Sequence, residues 1–64
     1  MYKVKDLITN EIIGGLTKSQ AVEEAERRVA IHKSDFNYRN KVRHYPIKAE
    51  YKFEKETIII YATE

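Results

Sequence analysis

The sequence has 64 residues, of which 42% are hydrophobic and 34% charged, a balance that suits one small globular domain and excludes a disordered chain. It contains no cysteine, which excludes disulfide bonds and thiolate zinc sites. No apolar run approaches the roughly 18 residues of a membrane-spanning helix. The first residues alternate in polarity, unlike a signal peptide, so we expect a soluble cytoplasmic protein.

Charge is distributed unevenly along the chain, although the formal net charge is only +2. Residues 1–26 carry three lysines and five acidic residues, residues 27–48 carry seven basic residues and one acidic residue, and residues 49–64 carry two lysines and four glutamates. A basic middle section between two acidic ends is therefore the main polar asymmetry of the sequence.

The first residues predict a β-hairpin. Residues 2–8 contain the alternation of a half-buried strand, and residues 11–14 form a second, largely apolar run. The polar connection between them contains Asn10, a residue type that tolerates positive φ in tight turns. The following Gly14-Gly15 lacks the spacing of a phosphate-binding loop and is interpreted as the turn into the next element.

An amphipathic helix is predicted over residues 17–33. Thr17 and Gln20 have the spacing of a capping box at its start. At 100° per residue, one arc of about 100° collects an apolar stripe. The stripe consists of Ala21, Val22, Ala25, Val29 and His32, which Phe36 would join if the helix extended to it.

The opposite surface of this helix is predicted to face water, because it carries the i,i+4 pairs Glu23/Arg27 and Glu24/Arg28. The segment 34–37 contains Ser, Asp and Asn, whose side chains compete for backbone hydrogen bonds, and it predicts the end of the helix. Residues 37–47 have no regular period and are predicted to form a long loop.

The C-terminal residues predict a second hairpin. Residues 48–54 alternate apolar and charged side chains, and residues 57–61 are apolar on both faces, which is typical of a strand inside a sheet or at an interface. The predicted order is therefore ββαββ. We expect an α+β fold over residues 1–64, with a mostly antiparallel four-stranded sheet and one helix packed on one face.

The predicted loop combines basic and aromatic residues and is the leading candidate for a binding site. Arginine and tyrosine are enriched at the energetic centres of protein interfaces, and the same residue types neutralise phosphates and stack on unpaired bases. Both a protein partner and single-stranded nucleic acid or RNA are compatible with this composition. The predicted binding residues are Tyr38, Arg39, Lys41, Arg43, His44, Tyr45 and Lys48.

Catalytic chemistry has weaker support in the sequence. A metal-free ribonuclease could use His44 as a general acid or base, whereas His32 lies in the apolar stripe and is interpreted as a packed side chain. The two histidines have no metal-binding spacing. We therefore predict no catalytic residues, no metal site and no cofactor.

A second candidate surface is apolar. One helix can cover only one face of the sheet, so Ile59 and Tyr61, together with Tyr2, are predicted to form a partner-binding or homodimer patch. The sequence thus favours a non-enzymatic binding or regulatory protein that contacts a protein partner through residues 37–48 and the bare sheet face. A nucleic-acid-binding module is the alternative, and a ribonuclease is the second alternative.

Overall fold

The computed structural model describes residues 1–43 and 47–63, with the side chains of all of these except residues 39–43. Within these residues the chain forms four strands and one helix. They are, in order, β1 (Tyr2–Asp6), β2 (Glu11–Leu16), α1 (Lys18–Arg43), β3 (Lys48–Glu54) and β4 (Thr57–Thr63). The predicted α+β fold with ββαββ order is confirmed. No helix in the described ranges combines the length and the apolar character needed to cross a membrane.

The two hairpins meet in the middle of one sheet with the strand order β2-β1-β4-β3. Each hairpin is antiparallel, and the central strands β1 and β4 are parallel, with Val4 opposite Ile58. β4 therefore has a neighbour on each side. This position confirms the prediction that the strand formed by residues 57–61 lies inside the sheet.

The turns depend on a few residues with positive φ. Asn10 has a φ of 68° in the β1–β2 turn, as its sequence position predicted, and its backbone N–H donates to the carbonyl oxygen of Asp6 at 2.7 Å. Gly15 has a φ of 70°, and the β1–β2 register shifts at this point. Lys55 has a φ of 56° in the β3–β4 turn although it is not glycine. The glycine at position 15 is thus required by the backbone conformation.

The core lies between α1 and one face of the sheet. Small residues of the helix, Ala21 and Ala25, are fully buried and allow it to approach the sheet closely. Ile58 and Ile60 of β4 are buried beneath the helix. The remaining buried apolar residues are Val4, Val29, Phe36 and Ala49.

The start of the helix has the predicted capping box. The backbone N–H of Thr17 donates to Oε1 of Gln20 at 3.0 Å, and the backbone N–H of Gln20 donates to Oγ1 of Thr17 at 3.2 Å. Two N–H groups that would otherwise lack partners are thereby satisfied.

The predicted end of the helix is wrong, because α1 continues through residues 34–37 to Arg43. Ser, Asp and Asn each disfavour a helix interior by less than about 1 kcal/mol. Against this cost, Phe36 extends the apolar stripe, is only 5% exposed, and stacks on the ring of His32 with a centroid separation of 6.2 Å. Burial of one phenylalanine outweighs three weak propensities.

The helix is consequently much longer than the strands. Its 26 residues correspond to about 39 Å at the usual rise per residue, which matches the longest dimension of the described structure, 39 Å. Strands of five to seven residues span at most about 25 Å. Residues 37–43, predicted to lie in a loop, instead form the last turns of α1.

The packing of Phe36 gives a test of the longer helix. Phe36→Ala should lower the free energy of unfolding by about 3 kcal/mol, because it removes a buried ring from the core. Tyr38→Ala is the matched control, since Tyr38 is 71% exposed, and should change it by less than about 0.5 kcal/mol. Urea denaturation of both variants measures the difference. Equal, small effects would mean that the chain leaves the core before Phe36.

The two adjacent glycines give a second test. Gly15→Ala should destabilise the protein by about 1–2 kcal/mol, because alanine is strained at positive φ. Gly14→Ala is the control: position 14 does not have positive φ, and an added Cβ would lie 4.0 Å from Cβ of Lys3, an ordinary contact. Thermal unfolding should separate the two variants by several degrees.

Candidate functional site

The predicted binding residues do not lie together in a loop. Tyr38 is exposed on α1, and Arg39, Lys41 and Arg43 belong to the last turns of the same helix. Lys48 is exposed and begins β3, while His44 and Tyr45 fall outside the described residues. The prediction of a basic-aromatic loop is therefore wrong for the described residues. Four of them lie in the C-terminal turns of α1, and Lys48 is the first residue of β3.

The uncovered side of the sheet is a better-defined surface. Because side chains alternate along a strand, and residues opposite each other in register share a face, the burial of Val4, Ile58 and Ile60 beneath α1 assigns their neighbours to the other side. We call this side the open face. It consists of Lys3, Lys5, Ile12, Lys48, Glu50, Lys52, Glu54, Thr57, Ile59, Tyr61 and Thr63.

Ile59 and Tyr61 lie at the centre of the open face and are half-buried. Lys5 of β1 and Lys52 of β3 flank Ile59 in register. Lysine stems can cover apolar surface while their ammonium groups remain in water, which accounts for the partial burial of the centre. The predicted pair Ile59 and Tyr61 thus shares one surface that the helix does not cover.

Tyr2 does not belong to this surface. It alternates in phase with Val4 and Asp6, and it packs against the core beneath the helix. The prediction that Tyr2 joins Ile59 and Tyr61 in one patch is therefore wrong. The strand period determines the correction, since Tyr2 and Val4 are two residues apart and must share a face.

Charges on the open face have no partners within the described part of the chain. Its four lysines and two glutamates form no ion pair there, although they alternate along neighbouring strands. The face has a formal charge of +2 around an apolar centre. These ammonium groups remain available to another molecule.

Behind the sheet, by contrast, lies a polar cluster in which every charge is paired. Asp6 is only 1% exposed, and its Oδ1 accepts the backbone N–H groups of Ile8 and Thr9 at 3.0 and 3.2 Å. Its Oδ2 accepts one hydrogen bond from Nη1 of Arg28 and one from Nε2 of His32, both at 2.8 Å. A carboxylate accepts but cannot donate, so Nε2 of His32 carries the proton in this bond.

Arg28 connects three carboxylates. Besides Asp6, its guanidinium donates to Glu11, through Nη2 at 3.2 Å, and to Glu24, through Nε at 2.8 Å. Hydrogen bonds to Glu11 and Glu24 raise the pKa of Arg28 above its ordinary value despite partial burial. The same bonds from Arg28 lower the pKa values of Glu11 and Glu24.

The pairing on the helix differs in part from the sequence prediction. The Glu24/Arg28 pair is present, but Arg28 is turned toward the sheet rather than toward water. Arg27 binds Glu24 at 2.6 Å, in place of the predicted Glu23. The cluster also confirms that His32 is a packed side chain.

This cluster is not among the predicted site residues, although the sequence contains a signal for it. Asp6 continues the phase of Tyr2 and Val4 toward the core, and a carboxylate on a core-facing position requires a cation. Arg28 and His32 are separated by four residues and lie on the same side of the helix. Their spacing therefore supplies two donors for one buried acceptor.

The arrangement favours a structural role for the cluster. Both oxygens of Asp6 are occupied, and the cleft beside His32 has a volume of about 220 Å³, below the usual range of ligand pockets. Thr9, Glu11, Arg27, Arg28 and Ile31 complete its lining. No group of three or more histidine or acidic side chains suitable for a metal occurs among the described residues.

The buried carboxylate predicts a pH dependence. Burial alone would raise the pKa of Asp6, but hydrogen bonds from His32, Arg28, Thr9 and Ile8 lower it from 3.8 to about 2. The ionised form is therefore favoured in the folded state. Asp6 contributes about 2 kcal/mol of stability above pH 3.8, and this contribution is lost as the pH falls through 2.

Chemical denaturation between neutral pH and pH 2 measures this effect. The stability difference between wild type and Asp6→Asn should narrow as the pH falls, because protonation removes the charge that the variant lacks. Asp35→Asn is the control, since Asp35 is exposed and forms no ion pair in the described structure. A constant difference between wild type and Asp6→Asn would contradict the assignment.

Known proteins do not add to this description. No protein-family model, curated protein or solved structure matches the chain. The candidate site is therefore defined by the geometry and charge of the open face.

Proposed function

We propose that the protein is a small, non-enzymatic, cytoplasmic binding or regulatory protein that attaches to an acidic protein surface through the open face. The observation that supports this proposal most directly is the position of Ile59 and Tyr61. Both lie on the central strand β4, on the side that α1 leaves uncovered. An apolar centre surrounded by charged residues is the usual arrangement of a protein interface.

The charge of the open face supports an acidic partner. Lys3, Lys5, Lys48 and Lys52 have no ion-pair partner in the described structure, whereas Arg27 and Arg28 on the helix side are paired. Tyrosine is among the residues that most often contribute large binding energies.

A protein partner is favoured over nucleic acid by the register of β3 and β4. Glu50 lies directly opposite Tyr61, and Glu54 lies opposite Thr57. A base stacked on Tyr61 would bring its phosphates close to these carboxylates, which would repel them. A carboxylate beside a tyrosine is compatible with a protein surface, where it can accept hydrogen bonds.

The proposal can be tested by affinity capture from lysate of the producing cells, with and without nuclease treatment, followed by binding measurements with the purified partner. Tyr61→Thr and Ile59→Thr keep a strand-forming residue while removing the apolar centre. Each should weaken binding roughly 30-fold, as expected for a residue at the centre of an interface. Lys52→Glu should weaken it as well.

Lys33→Glu is the matched charge control, because Lys33 is exposed on α1 and lies on the other side of the molecule from the open face. This variant should retain the partner. The proposal would be contradicted if Tyr61→Thr and Ile59→Thr bound the partner with the same affinity as wild type. Capture that nuclease abolishes would identify nucleic acid as the partner instead.

A further inference from the structure

The two edge strands of the sheet, β2 and β3, differ in how well their side chains discourage pairing with another chain. β3 carries Lys48, Glu50, Lys52 and Glu54, and charged residues on an edge strand discourage pairing with another chain. β2, with the sequence EIIGGL, contains neither lysine nor proline. Its exposed edge therefore lacks two of the devices that commonly prevent strand addition.

The direction of the backbone groups on β1 can be derived from its parallel partner. The backbone N–H of Lys3 donates to the carbonyl of Glu56 at 3.0 Å, and that of Leu7 donates to the carbonyl of Ile60 at 2.8 Å. Odd-numbered residues of β1 thus point their backbone groups toward β4. Even-numbered residues point toward β2, since the direction alternates along a strand.

The same alternation applies to β2. Val4 lies opposite Ile13, so the N–H and C=O groups of Ile13 point toward β1. Those of the neighbouring residues Ile12 and Gly14 point outward, away from the sheet. In the described part of the chain nothing lies along that edge to bind them.

We propose that a second copy of this chain adds its β2 antiparallel to β2, with Ile13 on the twofold axis. In this register Ile12 of each copy lies opposite Gly14 of the other. Their outward N–H and C=O groups form four backbone hydrogen bonds across the axis. The result is one continuous eight-stranded sheet.

The side chains of β2 are complementary to a copy of themselves in this register. Ile12 is 66% exposed and would lie over a glycine, so a large side chain meets a position that has none. Glu11 would lie opposite Gly15, which avoids placing like charges together. The two Ile13 side chains would be directly opposite each other on the helix side.

A groove beside β2 offers room for the added strand. It has a volume of about 350 Å³ and lies between β2 and the first half of α1. Ile13 and Leu16 contribute apolar surface, and the helix contributes Gln20, Glu23, Glu24 and Arg27. Ile13 of the second copy would enter this groove next to Ile13 of the first.

The proposed contact involves one six-residue strand from each copy, which is small compared with a standard stable interface. The dimer should therefore be reversible and populated only at high protein concentration. Pairing at β2 would also join the two open faces side by side. A partner with repeated acidic sites could then bind both copies and stabilise the dimer through avidity.

Sedimentation equilibrium and amide NMR spectra over a concentration series test the proposal. For wild type, the mean mass should rise at high micromolar to millimolar concentration, with the largest shifts at the amides of Ile12 and Gly14. Gly14→Pro should raise the dissociation constant roughly tenfold or more, because it removes two of the four hydrogen bonds. Proline is tolerated at edge positions whose N–H faces solvent.

Gly14→Ala is the matched control. Opposed residues in a hydrogen-bonded pair are about 5.5 Å apart, which leaves room for a methyl group, so this variant should associate like wild type. Ile12→Lys is a second variant that leaves the fold intact, because its side chain is exposed, and it should weaken association by adding charge beside Lys5.

Three results would overturn the proposal. Wild type could remain monomeric at every concentration, or Ile12→Lys and a folded Gly14→Pro could associate as tightly as wild type. The concentration-dependent shifts could instead centre on Ile59 and Tyr61, which would assign self-association to the open face. Tyr61→Thr should leave the β2 dimer unchanged, so failure of this proposal is distinguishable from failure of the proposed function.

Discussion

The buried carboxylate of Asp6 is the interaction on which the arrangement of the structure depends. One oxygen accepts backbone N–H groups of the β1–β2 turn, and the other accepts Arg28 and His32 from the helix. The same group thus shapes a turn and fixes the position of α1 over the sheet. A buried charge is tolerated only when its hydrogen-bonding capacity is satisfied, so the loss of either donor, Arg28 or His32, would leave an unfavourable charge in the core.

The position of the helix determines which surfaces remain for binding. Because α1 is held over one side, Ile59 and Tyr61 of the central strand face outward, and the lysines around them have no partner in the described structure. Arg27 and Arg28 on the helix side are paired with carboxylates, whereas no charged side chain of the open face forms an ion pair in the described structure. The proposed protein contact centres on β4, whereas the proposed pairing uses the outer edge of β2, so the two can occur together.

Two errors in the sequence interpretation have different physical origins. Ser, Asp and Asn favour caps and turns and so predict a helix end near residues 34–37. The helix instead continues to Arg43, because Phe36 packs in the core. The grouping of Tyr2 with Ile59 and Tyr61 does not take the strand period into account, and that period assigns Tyr2 to the core side. Tertiary packing outweighed a local preference in the first case, whereas the second follows from the alternation of side chains along β1.

The sequence alone determined the features that neighbouring residues control: the capping box of Thr17 and Gln20, the turn at Asn10 and the alternation of β3. The tertiary structure decided the parallel pairing of β1 with β4, the length of α1 and the partners of Asp6. Arg28 and His32 are 22 and 26 residues from Asp6 along the chain. Local propensities and periodicities act over a few residues, so the joining of such distant groups is determined only when the helix packs on the sheet.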